Sequence, residues 1–361
     1  MERAVLCLAI VLTQVVVGSV VVVAGARPPA MYVFGDSTLD DGNNNYLSGP
    51  AVSRANAPYY GIDFPGFPTG RFSNGYNTAD YIAKSMGFVS SPPAYLSLAP
   101  SSAVLALTAL TRGVSYASGG AGILDSTTAG NTIPLSTQLQ YFNATRALMV
   151  SARGSAAVND LLARSVVLIG IGSNDIFGFA TADQHSDAAA FLAGLISNYS
   201  STITELYTLG ARKFAVINVG LVGCVPRIRV LSAAGACADG LNQLAAGFDA
   251  ALKSLLAGLA AELPGLAYSL ADSYALTVDA FADPQAYGYT EIAAACCGAG
   301  RLNAEADCAP NATLCGDREG TLFWDRYHPS QRASLLTAQA FYNGPGQYTT
   351  PINFMELART S

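Results

Sequence analysis

The chain has 361 residues, of which 51% are hydrophobic and 12% charged, with a formal net charge of −6. That balance excludes a disordered chain and suits a globular domain with a large core. It also argues against nucleic acid as a partner, because no basic stripe or Lys/Arg run is present.

Residues 1–26 read as a secretory leader. Arg3 gives a weakly basic start, residues 4–23 are almost wholly apolar, and Ala24-Gly25-Ala26 fits the small-x-small cleavage pattern. Cleavage is expected after Ala26, leaving residues 27–361 as one mature domain. The apolar run approaches the length of a membrane span, so an uncleaved anchor or retention in the endoplasmic reticulum is the competing reading. No later segment has a comparable run, and no stable membrane span is expected after cleavage.

Near the start of the mature chain stands Ala30-Met31-Tyr32-Val33, a β-forming run that ends in Phe34-Gly35-Asp36-Ser37. Acid and amide residues follow, Asp40-Asp41-Gly42-Asn43-Asn44-Asn45. A serine at the carboxyl end of a core strand stands where open α/β sheets place reactive groups. Residues 57–76, rich in Pro, Gly, Tyr and Phe, read as a loop, and so do residues 90–102. Between them Asn77 is expected to cap a short helix ending near Gly87. Gly113-Val114-Ser115-Tyr116 reads as a short strand running into Ser118-Gly119-Gly120-Ala121-Gly122, and a helix is expected over 137–151.

Val166-Val167-Leu168-Ile169 is a buried strand followed by Gly172-Ser173-Asn174-Asp175. A helix over 187–209 stops at Gly210. A strand over 214–219, a helix over 241–263 and a strand over 266–270 ending at Asp272 complete the pattern. Continuously apolar strands alternating with helices imply a parallel sheet covered on both faces. The turns after the strands, carrying Ser37, Gly119-Gly120 and Asn174, should converge at one sheet edge.

Seven cysteines are present. Cys7 leaves with the leader, and Cys224, Cys237, Cys296, Cys297, Cys308 and Cys315 remain. An even number in a secreted chain argues for disulfides. Cys224 and Cys237 are the local pair, and the pairing of the other four stays open. A zinc site is the weaker alternative, because no histidine lies among them and the spacing is not a ribbon pattern. No metal or cofactor is expected. Asn143, Asn198 and Asn311 stand in Asn-x-Ser/Thr sequons, which fits the secretory route.

Histidine is scarce: His185 and His328 are the two in the sequence. His185 lies in a polar loop and suits a solvated or capping role. His328 sits in Phe323-Trp324-Asp325-Arg326-Tyr327-His328-Pro329, three residues after Asp325. On a helical turn that spacing places both side chains on one face. The carboxylate could then fix the imidazole tautomer and leave its other nitrogen to take a proton from a serine. Taken singly, Ser37 suits a helix cap, Asn174 a turn and Gly119 a tight bend. Together, the Ser37 amide, a glycine amide and the Asn174 side chain could hold an oxyanion.

In four blocks the sequence resembles the plant branch of the GDSL esterase/lipase family, within the SGNH hydrolase superfamily. The blocks are Phe34 to Asn44, Gly113 to Gly122, Gly172-Ser173-Asn174-Asp175 and Phe323 to Pro329. Pro68-Thr69-Gly70-Arg71-Phe72-Ser73-Asn74-Gly75 and Cys296-Cys297-Gly298 match plant-branch features. Thr38 stands in place of the leucine of the name motif. The resemblance implies a three-layer α/β/α sandwich with a mostly parallel sheet of about five strands. It also implies a Ser37, Asp325, His328 triad, with oxyanion donors at Ser37, Gly119 and Asn174; Gly120 is the adjacent alternative to Gly119. The expected substrate is an acyl ester, of lipid or cell-wall origin. Transfer of the acyl group to an alcohol in polyester building, polysaccharide deacetylation and a non-catalytic lipid-binding role are the alternatives. The aromatic loop residues Tyr59, Tyr60, Phe64 and Phe67 are the candidate contacts for an acyl chain.

Overall fold

The computed structural model describes residues 27–181 and 187–360. The expected leader and His185 lie outside those residues. Nine strands are present among them: β1 Met31–Gly35, β2 Val166–Gly170, β3 Lys213–Ile217, β4 Ala267–Ala271, β5 Glu291–Ala295, β6 Cys297–Gly298, β7 Thr313–Leu314, β8 Thr321–Phe323 and β9 Thr349–Thr350. The central sheet has five strands in the order β1-β2-β3-β4-β9. The first four run parallel and β9 pairs antiparallel to β4. In-register pairs such as Tyr32 with Val167 and Val167 with Phe214 stack like side chains across the sheet.

Strand alternation divides these side chains between two cores. Tyr32, Phe34, Val167, Ile169, Phe214 and Val216 face one layer. Met31, Val33, Val166, Leu168 and Ala215 face the other. The first layer is built by helices Leu135–Arg153, Ala188–Thr208 and Asp239–Glu262, through Phe142, Leu195, Phe248 and Leu252. The second is built by Thr78–Ser85, Gln331–Tyr342 and Phe354–Arg359, through Ile82, Phe341 and Leu357. This is the expected three-layer α/β/α sandwich. Helix Asp239–Glu262 is long and apolar enough to cross a membrane by length and composition. Its Ala245, Phe248, Leu252, Leu256 and Leu259 are buried in the first core.

Most expected elements fall within a few residues of their observed bounds, and two differ. Residues 90–102 are not all loop: a short helix, Tyr95–Leu98, follows Pro92 and Pro93, and Ser102 starts helix Ser102–Thr111, capped by the Ser101 side chain. The run around Ser115 lies beside β1, with hydrogen bonds from the Val33 and Tyr116 amides to the Val114 and Val33 carbonyls. Its ladder is an isolated bridge at Val33 and Ser115 rather than a full strand.

Cys224–Cys237, Cys296–Cys315 and Cys297–Cys308 are disulfides. All six cysteines among the described residues are therefore in sulfur–sulfur bonds, which removes the zinc alternative for them. The last two bonds cross-link the segment just before the loop that carries Asp325 and His328. The Cys296 and Cys297 amides donate to the Phe323 and Trp324 carbonyls, at 2.9 and 2.7 Å.

Several carboxyls are buried away from cationic partners, and burial raises their pKa. Asp40 is pushed up to about 6 and Asp249 to about 8. Asp249 Oδ2 is buried with no hydrogen-bond partner among the described residues, an environment that favours the protonated acid. Asp36 and Asp175 shift in the same direction. A raised folded-state pKa means that the folded chain binds more protons than the unfolded one. The resulting stability is fully present below the ordinary carboxyl value, and is lost as pH rises through about 6 and about 8. The midpoint of thermal unfolding should therefore fall from pH 5 to pH 9, and Asp249→Asn should flatten the upper part of that slope. A flat or rising profile in differential scanning fluorimetry contradicts this account.

Candidate active site

Because β1 to β4 are parallel, the loops that follow them emerge at one edge of the sheet. The first loop starts where β1 ends. The Asp36 amide donates to the Gly170 carbonyl on β2. The Asp36 carboxylate accepts from the Thr38 amide at 2.9 Å and the Thr38 hydroxyl at 2.8 Å. The residue standing in for the name-motif leucine thus helps close the turn that presents Ser37.

The last loop supplies the histidine. His328 Nε2 lies 2.7 Å from Ser37 Oγ, across 291 residues of sequence. Its Nδ1 lies 2.7 and 2.9 Å from the two Asp325 oxygens. The Asp325–His328 segment is a turn outside any helix, unlike the helical spacing expected. Asp325 Oδ1 accepts from the Tyr327 and His328 amides, each at 2.9 Å, and the Trp324 amide donates to the His328 carbonyl. A carboxylate-centred turn brings the two side chains together without helical geometry. The Tyr60 hydroxyl donates to Asp325 Oδ2 at 2.8 Å.

Burial pushes the Asp325 carboxyl up. The charge of His328 and the hydrogen bonds from His328, the Tyr327 amide and Tyr60 outweigh burial, and hold the carboxyl below its ordinary value. With Asp325 ionised, the neutral imidazole keeps its proton on Nδ1, and Nε2 is the acceptor for the serine hydroxyl.

The second and third loops are tied to this pair of ends. Asp175 Oδ2 accepts from the Ile123 amide, and its Oδ1 from the Leu124 amide and the Thr127 hydroxyl. Asn174, in the first turn of helix Ser173–Thr181, donates from Nδ2 to the Ala121 carbonyl at 2.9 Å, leaving its second amide hydrogen for another acceptor.

The two adjacent glycines differ in what their amides do. The Gly119 amide donates to Asp40 Oδ2 at 3.0 Å, so its N–H is committed. A Cβ at Gly119 would stand 2.6 Å from the Phe72 ring, which explains that glycine by close packing. Gly120 has φ +80°, lines the cleft beside Ser37, and its amide makes no hydrogen bond among the described residues. The signal for Asp40 was in the acidic run after Ser37, but nothing in the sequence showed that its partner would be 79 residues away.

These groups open into a cleft of about 1420 Å³. Phe177, Phe179, Phe191, Val225, Ile228 and Leu231 supply apolar lining to the same cleft as His328. The expected acyl contacts Tyr59, Phe64 and Phe67 do not line it: Phe64 stacks on Tyr76 at 3.8 Å, Phe67 is exposed, and the Tyr59 hydroxyl donates to the Pro310 carbonyl. Tyr60 lines the cleft, but its hydroxyl is turned to Asp325. Phe72, from the plant-branch segment, packs on the imidazole with ring centroids 4.8 Å apart.

The family model for GDSL-like lipase/acylhydrolase matches residues 31–341, most of the chain. The chain belongs to the GDSL-like lipase/acylhydrolase family. Among curated relatives, one GDSL esterase/lipase of Arabidopsis thaliana is 37% identical over 340 residues, covering 91% of this chain and 85% of the relative. A second from the same plant is 37% identical over 345 residues, with 93% and 91% covered. A solved structure, a catalytic mutant of an acetylxylan esterase from Geobacillus stearothermophilus, aligns at 14% identity over 87% of this chain and 92% of that chain. Its TM-score is 0.37. Membership of the GDSL family makes this chain a carboxylic ester hydrolase.

Asp40 ties the Gly119-Gly120 turn to the loop that follows Ser37. In Asp40→Asn, one amide oxygen must serve the Gly42, Asn43 and Gly119 amides that two carboxylate oxygens now serve. Displacement of the loop should lower kcat on an activated acyl ester by about 10- to 100-fold while the fold persists. Wild-type kcat in that variant contradicts the role.

Proposed function

We propose that the protein is a secreted serine esterase or lipase, with a leader at residues 1–26 and one hydrolase domain at residues 27–361. The observation that carries this reading is the continuous contact from Ser37 Oγ to His328 Nε2, and from His328 Nδ1 to Asp325, among the residues lining a largely apolar cleft. Three disulfides and the exposure of Asn143, Asn198 and Asn311, as glycan acceptors, support a secretory route.

Ser37 Oγ attacks the ester carbonyl while His328 Nε2 takes its proton. Asp325 holds the imidazole in the required tautomer and stabilises the imidazolium. The negative charge that develops on the carbonyl oxygen is met by the Ser37 amide, the Gly120 amide and Asn174 Nδ2. Collapse of the tetrahedral intermediate breaks the bond to the alcohol oxygen, which leaves with the proton held by His328. Water then attacks the acyl-Ser37 ester with His328 again as base, and the acid departs with the serine proton restored. The apolar wall formed by Phe177, Phe179 and Ile228 receives the acyl chain, and the substrate is an acyl ester of lipid or cell-wall origin.

A fluorophosphonate probe should label the wild-type protein and fail to label Ser37→Ala. Asn174→Ala should lower kcat on the order of 100-fold or more. Equal labelling of Ser37→Ala removes Ser37 as the nucleophile.

A further inference from the structure

The Tyr60 hydroxyl reaches Asp325 from a distant part of the chain, 265 residues upstream. Asp325 Oδ1 already accepts from two backbone amides and from His328. Oδ2 has His328 at 2.9 Å and Tyr60 at 2.8 Å. Tyr60 is therefore the one donor outside the turn itself that fixes the rotation of this carboxylate, among the described residues.

The direction of that hydrogen bond is fixed. Burial, and then the charge of Asp325, push the Tyr60 hydroxyl well above its ordinary pKa, while the Asp325 carboxyl is held low. The tyrosine can only donate and the aspartate only accept. The ring is buried and is held by edge contacts to Phe72 and Trp324, with centroids 6.3 and 6.4 Å away. Phe72 in turn lies on the imidazole of His328.

The preceding residue gives an independent sign. Tyr59 has φ +80°, in the left-handed region that a bulky side chain rarely occupies. Such strain persists only where surrounding contacts over-determine it, and it gathers at functional sites. Here the Tyr59 hydroxyl anchors to the Pro310 carbonyl, and the Gly61 amide to the Ser73 carbonyl. The bent backbone between these anchors turns Tyr60 inward, whereas Phe64 and Phe67, a few residues on, face outward.

We infer that Tyr60 is a positioning residue for the triad. It holds the Asp325 carboxylate in the plane that serves His328 Nδ1, and by hydrogen bonding disperses part of the charge that would otherwise act on the imidazole. This rests on the reading of Ser37, His328 and Asp325 as the triad. Removing the hydroxyl frees the carboxylate to rotate and concentrates its charge on His328, which favours the imidazolium.

The test compares wild type, Tyr60→Phe and Tyr59→Phe by steady-state kinetics across pH and by proton NMR of the Nδ1–H resonance. Tyr60→Phe should lower kcat about 10-fold with KM unchanged, and move the acid limb of the kcat/KM profile to higher pH by a few tenths of a unit. Its downfield Nδ1–H resonance should shift. Tyr59→Phe, which loses the anchor to Pro310 only, should keep the wild-type acid limb and resonance. An unmoved acid limb and resonance in Tyr60→Phe overturn the inference, even where the variant loses activity through lower stability. Absence of any downfield Nδ1–H signal in wild type, or activity retained by Ser37→Ala, would instead fault the triad reading itself.

Discussion

A carboxylate taken out of water must be met by donors, and four such carboxylates hold this site together. Asp36, Asp40, Asp175 and Asp325 are nearly inaccessible to solvent. Among the described residues the first three have no lysine or arginine partner, and Asp325 has only the histidine. Leaving any of them unsatisfied would cost several kcal/mol. Each instead collects amide and hydroxyl donors, and for Asp40, Asp175 and Asp325 some of those donors sit on a different loop. Solvation of buried charge by the backbone thereby fixes the spacing between loops, which is the property the chemistry requires.

The sheet makes this arrangement possible. Parallel strands deliver the Ser37 and Asn174 loops side by side at one edge, and the run beside β1 adds the glycine loop. The histidine loop comes from outside the sheet and is held by other means. Disulfides at Cys296 and Cys297, amide contacts to Phe323 and Trp324, and the hydrogen bond from Tyr60 keep it in place. Ser37 is thus anchored by the sheet, while His328 is anchored by cross-links and by a loop from the first fifth of the chain.

Preorganisation has chemical meaning here. Short contacts from serine to imidazole to carboxylate exist before any substrate enters, so little rearrangement is needed when charge moves. The apolar wall of Phe177, Phe179 and Ile228 beside these groups lowers the local polarity and strengthens each hydrogen bond within the site. It comes from the helix that also carries Asn174, together with segments near Cys224 and Phe191. One helix therefore supplies both the Asn174 amide and part of the apolar lining of the cleft.

Much of this could be read from residue order. Apolar runs such as Val166 to Ile169 can only be strands buried on both faces, and a strand followed by Gly and a polar residue marks the reactive edge. His328 was isolated by the scarcity of histidine, and Cys224–Cys237 by nearness in sequence. What residue order could not fix depends on backbone torsion and on contacts between distant segments. Gly119 and Gly120 are chemically identical, and the hydrogen bond from Gly119 to Asp40 decides which amide remains available. The remaining cysteines pair 296 with 315 because antiparallel pairing of β6 and β7 sets those two residues opposite each other, and 297 with 308 because a separate antiparallel bridge between Ala299 and Ala306 brings that pair together. Tyr60 looked like one more aromatic residue in a loop, and only the fold of residues 57–76 sets its hydroxyl against Asp325. Sequence determined which chemical groups the protein has, because composition and periodicity act locally. Tertiary structure decided which of their hydrogen-bonding valences are left for a substrate, because that depends on every donor and acceptor brought near them.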